Sequence, residues 1–234
     1  MKNSAEFISI FNKLEKYFKD QVDDGARKPF YSLIGKLRHS NSNVRYYYVQ
    51  LKEYADLRNA IVHERIDGRV IAEPNEYAIR ELQTIYEKIT SSPKVIVVCP
   101  HSVKTMQISD KLSEALGLMN KHGFSQVPIY NKETYAGMLN SIAISSWMSE
   151  VMSGGLVDIS KIMIKDVLKY ARKSRVTLFK SKELNVFDVL DVYKAYAILP
   201  DRIDAVIITE TGSESEVPIT IITDHDMLKI MDNV

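Results

Sequence analysis

The chain has 234 residues, and its 31 Lys and Arg nearly balance its 30 Asp and Glu, giving a formal net charge of +1 at pH 7. This balance excludes binding to nucleic acid or to an anionic membrane through overall charge, although a local patch could still serve. Cys99 is the only cysteine, which excludes an internal disulfide and favours a reducing compartment. No apolar run approaches the roughly 20 residues that cross a bilayer, and the N-terminus lacks a signal-peptide pattern. We therefore expect a cytoplasmic protein of about two domains.

Apolar residues at three- and four-residue steps predict helices over residues 5–92. Pro29 suits the first turn of a second helix, a loop of capping residues precedes Val44, and Pro74 introduces the last helix. Short connections indicate an antiparallel helical bundle. The apolar stripes of its helices consist of Phe7, Ile10, Phe11, Leu14, Tyr17, Phe18, Phe30, Leu33, Ile34, Leu37, Ile79, Leu82, Ile85, Tyr86 and Ile89.

The pattern changes at residues 95–98, a β-branched run (Val-Ile-Val-Val) that predicts a buried strand. A helix is predicted from Ile108 to His122, and strands are predicted at 126–130 and 135–139. Asn140 then caps another helix. The order of elements is strand, helix, strand, strand, helix.

The same order returns after residues 153–155, which read Ser-Gly-Gly. Here the predicted elements are a strand at 175–179, a helix capped by Asn185, a hairpin of 203–209 with 217–222, and a last helix after Thr223. Two copies of one unit form an internal repeat. Each copy alone would expose one face of its sheet, so we expect the copies to pack sheet to sheet.

Each copy resembles a CBS module, named for the regulatory part of cystathionine β-synthase. The family pattern is a small residue, two or three apolar residues, Thr or Ser, any two residues, Asp, and an apolar residue. The second copy supplies Thr223 and Asp226 at the matching places, with Thr220 where glycine is usual. The first copy puts Asn140 at the Thr position and Ala143 at the Asp position, so we expect its site to be weak or empty.

This resemblance implies that the pair of modules binds an adenine nucleotide (AMP, ADP or ATP) as a regulatory ligand. The hydroxyl of Thr223 would contact phosphate or ribose, and the carboxylate of Asp226 would accept hydrogen bonds from the ribose hydroxyls. Position alone suggests that Ile203 and Val206 flank the adenine. A simpler interpretation stays open, because Thr followed three residues later by an acid is also a helix-capping pattern.

A second resemblance lies in the helical region, where Arg58-Asn59-Ala60-Ile61-Val62-His63 is similar to the Arg-x4–6-His motif of HEPN domains (higher eukaryotes and prokaryotes nucleotide-binding). Many HEPN domains are metal-independent ribonucleases that work as dimers. By resemblance, His63 would move a proton, Arg58 would stabilise charge on the phosphate, and Asn59 would orient His63 or the substrate. Imidazole titrates near neutral pH, which suits this role.

An alternative is that the helical domain does not catalyse but dimerises or recruits a partner, since other HEPN domains lack catalysis. The run Tyr46-Tyr47-Tyr48 beside Arg45 could stack on bases. Three consecutive helical residues point in three directions, however, so at least one of them is expected in the core.

The sequence thus predicts a multidomain α and α+β protein, in which an N-terminal antiparallel helical bundle precedes two β-α-β-β-α CBS modules packed as a pair. The predicted domains are 1–92 (HEPN-like), 93–155 (first module) and 156–234 (second module). We expect a homodimer that takes an adenine nucleotide, with RNA as a further partner and no membrane. The five histidines and Cys99 show no metal-ligand spacing, so no metal site is predicted.

Overall fold

The structure is a computed structural model. It describes residues 2–22, 28–63, 65–66, 69–70, 72–152 and 158–234. The chain divides into two compact units, a helical unit and a mixed unit. The helical unit comprises residues 1–93, 185–191 and 234, and the mixed unit comprises residues 94–184 and 192–233.

The helical unit contains five helices and a short hairpin within the described residues. They are α1 (Lys2–Val22), α2 (Phe30–Leu37), α3 (Ser42–Tyr46), α4 (Tyr48–His63), α5 (Glu76–Thr90), and the paired strands β1 (Arg65–Ile66) and β2 (Arg69–Val70). Side chains of Asn41 and Asn75 cap α3 and α5 by accepting from the backbone amides of Val44 and Ala78. The predicted apolar stripes form the core of this unit, with Tyr17 and Tyr86 at its half-buried edge.

The segment from Val44 to His63, which follows the loop of capping residues, is divided between two helices, because the backbone turns at Tyr47 (φ −90°, ψ 11°) between α3 and α4. Of the three consecutive tyrosines, Tyr47 is buried, whereas Tyr46 is exposed and Tyr48 is half-buried. The guanidinium of Arg38 lies 4.6 Å from the centre of the Tyr48 ring. The tyrosine run therefore contributes one core residue, as expected.

Residues 185–191 complete the helical unit from far along the chain. They begin helix α10 (Val186–Ala197), which Asn185 caps by accepting from the amides of Phe187 and Asp188. The rings of Tyr46 and Tyr47 meet the Phe187 ring edge-on, with centroids 5.3 and 5.7 Å away. Arg45 forms an ion pair with Asp191.

The first half of the mixed unit contains α6 (Val95–Val98), β3 (Met106–Gln107), α7 (Leu112–His122), β4 (Gln126–Asn131), β5 (Thr134–Asn140), α8 (Ser141–Val151) and α9 (Ile164–Leu168). Strand β3 runs parallel to β4, and β4 runs antiparallel to β5. Ile164 and Val167 of α9 lie in the buried cluster of this half, although they follow the predicted module boundary. That boundary, at 155/156, lies outside the described residues.

The predicted strand at residues 95–98 is wrong, because this segment is the helix α6. Val95 and Val98, three residues apart, are buried, whereas Val97 is 72% exposed. This is helical rather than alternating burial, and β-branched composition alone cannot distinguish the two in so short a run. The first strand of this half is instead the two-residue β3.

The second half repeats the arrangement with β6 (Arg175–Ser181), α10, β7 (Arg202–Thr209), β8 (Thr220–Ile222), a 3-10 turn (Asp224–Asp226) and α11 (Met227–Met231). Strand β6 runs parallel to β7, and β7 runs antiparallel to β8, so the sheet order is β6-β7-β8 as it is β3-β4-β5 in the first half. Met138 of β5 shares a buried cluster with Ala205 and Ile207 of β7, so the two sheets face each other.

Candidate functional site

A cavity of about 560 Å³ lies in the mixed unit, between the segment before β3, the start of β4 and the end of β8. Its walls combine apolar and polar side chains, a composition common in sites for small organic ligands. The lining residues are His101, Ser102, Val103, Lys104, His122, Gly123, Phe124, Ser125, Gln126, Pro128, Ile221, Thr223, His225 and Asp226. Two of the predicted site residues, Thr223 and Asp226, are among them.

The geometry of Thr223 and Asp226 contains the capping arrangement. Asp226 Oδ2 accepts from the backbone amide of Thr223 at 2.8 Å and from its hydroxyl at 3.1 Å. These bonds fix the carboxylate at the start of the last turn, where it is nearly buried. The helix that follows, α11, has only five residues, so its dipole adds little to the attraction of phosphate. Capping thus engages one carboxylate oxygen and leaves the other for a different partner.

That partner is His101, whose Nε2 lies 2.6 Å from Asp226 Oδ1. The segment that carries His101 is held by Thr220, the residue at the position where the CBS pattern has glycine. The Thr220 hydroxyl donates to the carbonyl of Cys99 at 2.6 Å and accepts from the amide of His101 at 3.1 Å. Thr220 is buried, so these two hydrogen bonds are shielded from water.

Basic side chains surround the rest of the cavity. Lys104 and three of the five histidines, His101, His122 and His225, line it. The rings of His122 and Phe124 are stacked with centroids 5.1 Å apart. Sequence reasoning missed these residues because they are spread over 125 positions; the one signal was that His225 lies between Thr223 and Asp226.

The structure separates Ile203 and Val206 from the cavity that contains Thr223 and Asp226. Val206 is completely buried within β7, and Ile203 lines a different cavity of about 360 Å³. The other residues of this second cavity are Arg175, Tyr193, Tyr196, Ala197, Arg202 and Asp224. The apolar surface beside Thr223 and Asp226 comes from both halves of the repeat, with Pro128 from the first half and Ile221 from the second.

In the first half of the repeat, the residues that replace Thr and Asp have structural roles. Asn140 is buried; its oxygen accepts from the amide of Ala143 at 2.8 Å, and its nitrogen donates to Asp204 Oδ2 at 2.8 Å. Arg175 donates to the other oxygen of Asp204 at 3.2 Å. Burial raises the pKa of the Asp204 carboxyl, and Arg175 and Asn140 oppose this shift. Ala143, fully buried, offers no polar atom in its side chain.

Cys99 lies next to the cavity and is fully buried. Burial raises the pKa of its thiol, the nearby Asp226 carboxylate adds to the shift, and Lys229 opposes it. The ligand atoms of Cys99, His101 and Asp226 all lie within 4.8 Å of one another. No spacing along the sequence could have grouped these three residues.

The Arg58, Asn59 and His63 side chains come together at the end of α4. Arg58 Nη1 lies 3.0 Å from His63 Nε2 and 3.4 Å from Asn59 Oδ1. Since guanidinium only donates, this contact requires that Nε2 accept and that the proton of the neutral ring be on Nδ1. His63 is exposed, and the other two are half-buried. The helix therefore presents a guanidinium and an imidazole together at the surface of the helical unit.

No helix among the described residues is long and apolar enough to cross a membrane. No family model matches the chain. No curated protein matches it either.

Solved structures similar to this chain include proteins with CBS domains. One is the CBS domain of a CBS domain-containing membrane protein from Sphaerobacter thermophilus, with 17% identity over 66% of this chain and 98% of that chain and a TM-score of 0.47. Another is CbpB in complex with c-di-AMP, with 14% identity over 65% and 93% and a TM-score of 0.45. A third is CBSX2 in complex with AMP, with 11% identity over 59% and 95% and a TM-score of 0.41.

Proposed function

We propose that the protein is a regulator whose mixed unit, a pair of CBS-like modules, binds an adenine nucleotide and controls the helical unit. The observation that carries this proposal is the cavity beside Asp226. Its lining combines a carboxylate held by hydrogen bonds, basic side chains and apolar surface. A nucleotide needs these three features, since it has ribose hydroxyls that donate, an apolar base and an anionic phosphate.

Each part of the ligand has a partner in this cavity. Asp226 Oδ1 would accept from a ribose hydroxyl in exchange for its contact with His101. The base would lie against Val103, Pro128 and Ile221, which supply apolar surface. Phosphate would be bound by Lys104 and by the histidines, because charge-assisted hydrogen bonds are the strong contacts for an anion. We also expect one principal site per pair, because the Asn140 side chain is already bonded to Ala143 and Asp204 and the Ala143 side chain has no polar atom.

Calorimetry with AMP, ADP and ATP on wild type and on Asp226→Ala tests the binding. We expect the substitution to weaken binding by about tenfold or more, because it removes hydrogen bonds to a charged acceptor. Asp166→Ala is the matched control: Asp166 accepts from the amide of Met163 in a similar cap of α9 but does not line the cavity. Unchanged binding in Asp226→Ala, or equal loss in both variants, would contradict the assignment.

The contact of Arg58 with His63 favours a second activity, metal-independent cleavage of RNA by the helical unit in a homodimer. When Arg58 leaves His63 to bind the phosphate of the substrate at two points, the lone pair of Nε2 becomes free to take the proton of a ribose 2′-hydroxyl. Asn59, whose side chain also meets Arg58, would orient the pair. In the alternative, the helical unit dimerises or recruits a partner without catalysis.

Incubation of a mixed structured RNA with the protein in EDTA, with and without AMP or ATP, separates these two roles. Cleavage should disappear in His63→Ala and in Arg58→Ala. It should persist in His39→Ala, which changes an exposed histidine of the same unit outside the motif. A nucleotide effect on cleavage would demonstrate the proposed control, and sedimentation with and without nucleotide would report whether dimerisation changes. Absence of cleavage in every condition would leave the non-catalytic regulator.

Regulation of the helical unit by a nucleotide requires that the nucleotide bind two arrangements of the protein with different affinity. Nucleotide bound at Thr223 can act on helix α10, because Tyr193 of this helix donates to the carbonyl of Ile222, directly before Thr223.

A further inference from the structure

Three side chains of different chemistry converge at one edge of the cavity. The thiol of Cys99, the imidazole of His101 and the carboxylate of Asp226 place one ligand atom each within 4.8 Å of the others. Cys99 and Asp226 are buried, whereas the side chain of His101 is 45% exposed. The group is therefore shielded from solvent at Cys99 and Asp226 and open to solvent at His101.

We propose that Cys99, His101 and Asp226 bind a thiophilic divalent cation, with Zn²⁺ as the best match. Sulfur, imidazole nitrogen and carboxylate oxygen are the usual ligands of Zn²⁺, and three protein ligands leave a fourth position open. Bond lengths of about 2.0 to 2.3 Å to a tetrahedral ion put the ligand atoms roughly 3.5 Å apart. The cation would enter between His101 Nε2 and Asp226 Oδ1, and small side-chain rotations would bring these atoms and the sulfur to that spacing.

The surroundings of the three side chains already hold them in position. Asp226 Oδ2 accepts two hydrogen bonds from Thr223, which orients Oδ1 toward the open side. The hydroxyl of Thr220 bonds both to the carbonyl of Cys99 and to the amide of His101. These two hydrogen bonds fix the backbone of both ligands relative to β8. Contacts of this kind, one shell beyond the ligands, are what orients metal-binding side chains.

The site shares Asp226 with the nucleotide. If the proposed function holds, a cation bound at Oδ1 removes the oxygen that the ribose would use. Metal and nucleotide should then compete, and the concentration of free zinc would set how much nucleotide the protein binds. This competition rests on the proposed function, whereas the metal site itself does not.

Titration with Co²⁺ of the protein without an affinity tag tests the metal site directly. Cobalt bound to a thiolate gives a sulfur-to-metal charge-transfer band, and Cys99 is the only cysteine that could produce it. We expect one ion per chain, a band that Zn²⁺ abolishes, and loss of the band in Cys99→Ser. His101→Ala should weaken zinc binding by at least about tenfold, because even residues behind the ligands have effects of that size.

His122→Ala is the matched control, since His122 lines the cavity outside the group of three. The band and the stoichiometry should survive in this variant. The absence of a charge-transfer band at saturating Co²⁺, or a band unaffected by Cys99→Ser, would overturn the site. His101 is exposed, so His101→Ala provides a folded variant even if Cys99→Ser does not fold.

Calorimetry with AMP in the presence and absence of Zn²⁺ tests the competition. Zinc should weaken AMP binding in wild type and should have no effect in Cys99→Ser. A cobalt band without any nucleotide binding would reject the proposed function and retain the metal site. Nucleotide binding without a cobalt band would reject the metal site and retain the proposed function.

Discussion

The hydroxyl of Ser42 donates to the Asp188 carboxylate at 2.6 Å, although 146 positions separate the two residues. This bond joins the start of α3 to the start of α10 inside the helical unit. Ser42 is buried, and Phe187, next to Asp188 in the chain, packs against Tyr46 and Tyr47. The helical unit is therefore completed by a segment that the sequence assigns to the second module.

Ser42→Ala should destabilise the helical unit by about 1 to 2 kcal/mol, because it leaves the half-buried carboxylate of Asp188 without one of its donors. Urea unfolding followed by circular dichroism measures this cost. The matched control is Ser40→Ala, an exposed serine two residues away whose hydroxyl makes only a 3.4 Å contact with the carbonyl of Leu37. Equal effects of the two substitutions would show that the Ser42–Asp188 bond adds nothing.

Lys104→Gln should weaken binding of ATP and ADP by roughly tenfold and binding of adenosine hardly at all, since a charge-assisted hydrogen bond contributes about 1.5 to 3 kcal/mol. The physical reason is that the ammonium group attracts phosphate and not the base. Calorimetry at two salt concentrations measures both affinities, and the phosphate contribution should fall at high salt. Lys132→Gln, in the turn between β4 and β5, serves as control. A uniform loss for all three ligands would place Lys104 away from the phosphate.

Arg175→Met should destabilise the mixed unit by about 1 to 2 kcal/mol at pH 7, because Asp204 loses a charged donor in a buried position. Burial raises the pKa of Asp204 in the folded chain, and removing Arg175 raises it further. A raised folded pKa means that the folded chain binds the proton more tightly than the unfolded chain. The stability lost in Arg175→Met relative to wild type should therefore decrease as the pH falls through the pKa of Asp204 in the folded chain.

Urea unfolding at a series of pH values from neutral to acidic checks this dependence. Arg202→Met is the control, because Arg202 lines the same second cavity but does not contact Asp204 in the structure. The change in the free energy of unfolding caused by Arg202→Met should not depend on pH in this way. A deficit for Arg175→Met that grew toward acidic pH would contradict the assignment.

Two glycines should respond in opposite ways to replacement by alanine. Gly212 has φ +97°, and an added Cβ would lie 3.0 Å from the amide nitrogen of Ser181, so Gly212→Ala should cost about 2 kcal/mol or more. Gly117 lies within α7 with open space around it, so Gly117→Ala should stabilise by about 1 kcal/mol. Thermal unfolding of both variants measures the difference. Destabilisation by Gly117→Ala would mean that this helix surface has a partner.

The repeat was predictable because local patterns defined it. Short apolar runs marked β4, β5, β6 and β7, and the side chains of Asn140 and Asn185 cap α8 and α10 as predicted. The strand predicted at residues 95–98 failed because four β-branched residues carry no periodicity. β3, with two residues, is too short to leave any pattern in the sequence.

The candidate site was predictable only in part, for a physical reason. The spacing of Thr223 and Asp226 is local, and it led to the cavity. The partners of Asp226 depend on how two halves of a repeat face each other, so neither His101 nor Pro128 could be paired with it from spacing. For the same reason, the sequence could not show that Ile203 lines a different cavity from Thr223 and Asp226.

Cys99 is the only thiol of the chain, and it is fully enclosed beside the cavity. A thiol reagent can reach it only when the surrounding segment opens, so its labelling rate measures how often that local opening occurs. The hydroxyl of Thr220 and the carboxylate of Asp226 hold this segment closed. The labelling rate of Cys99 thus reports on the cavity without any introduced probe. A ligand that makes opening of this segment rarer or more frequent should slow or speed the labelling of this one thiol.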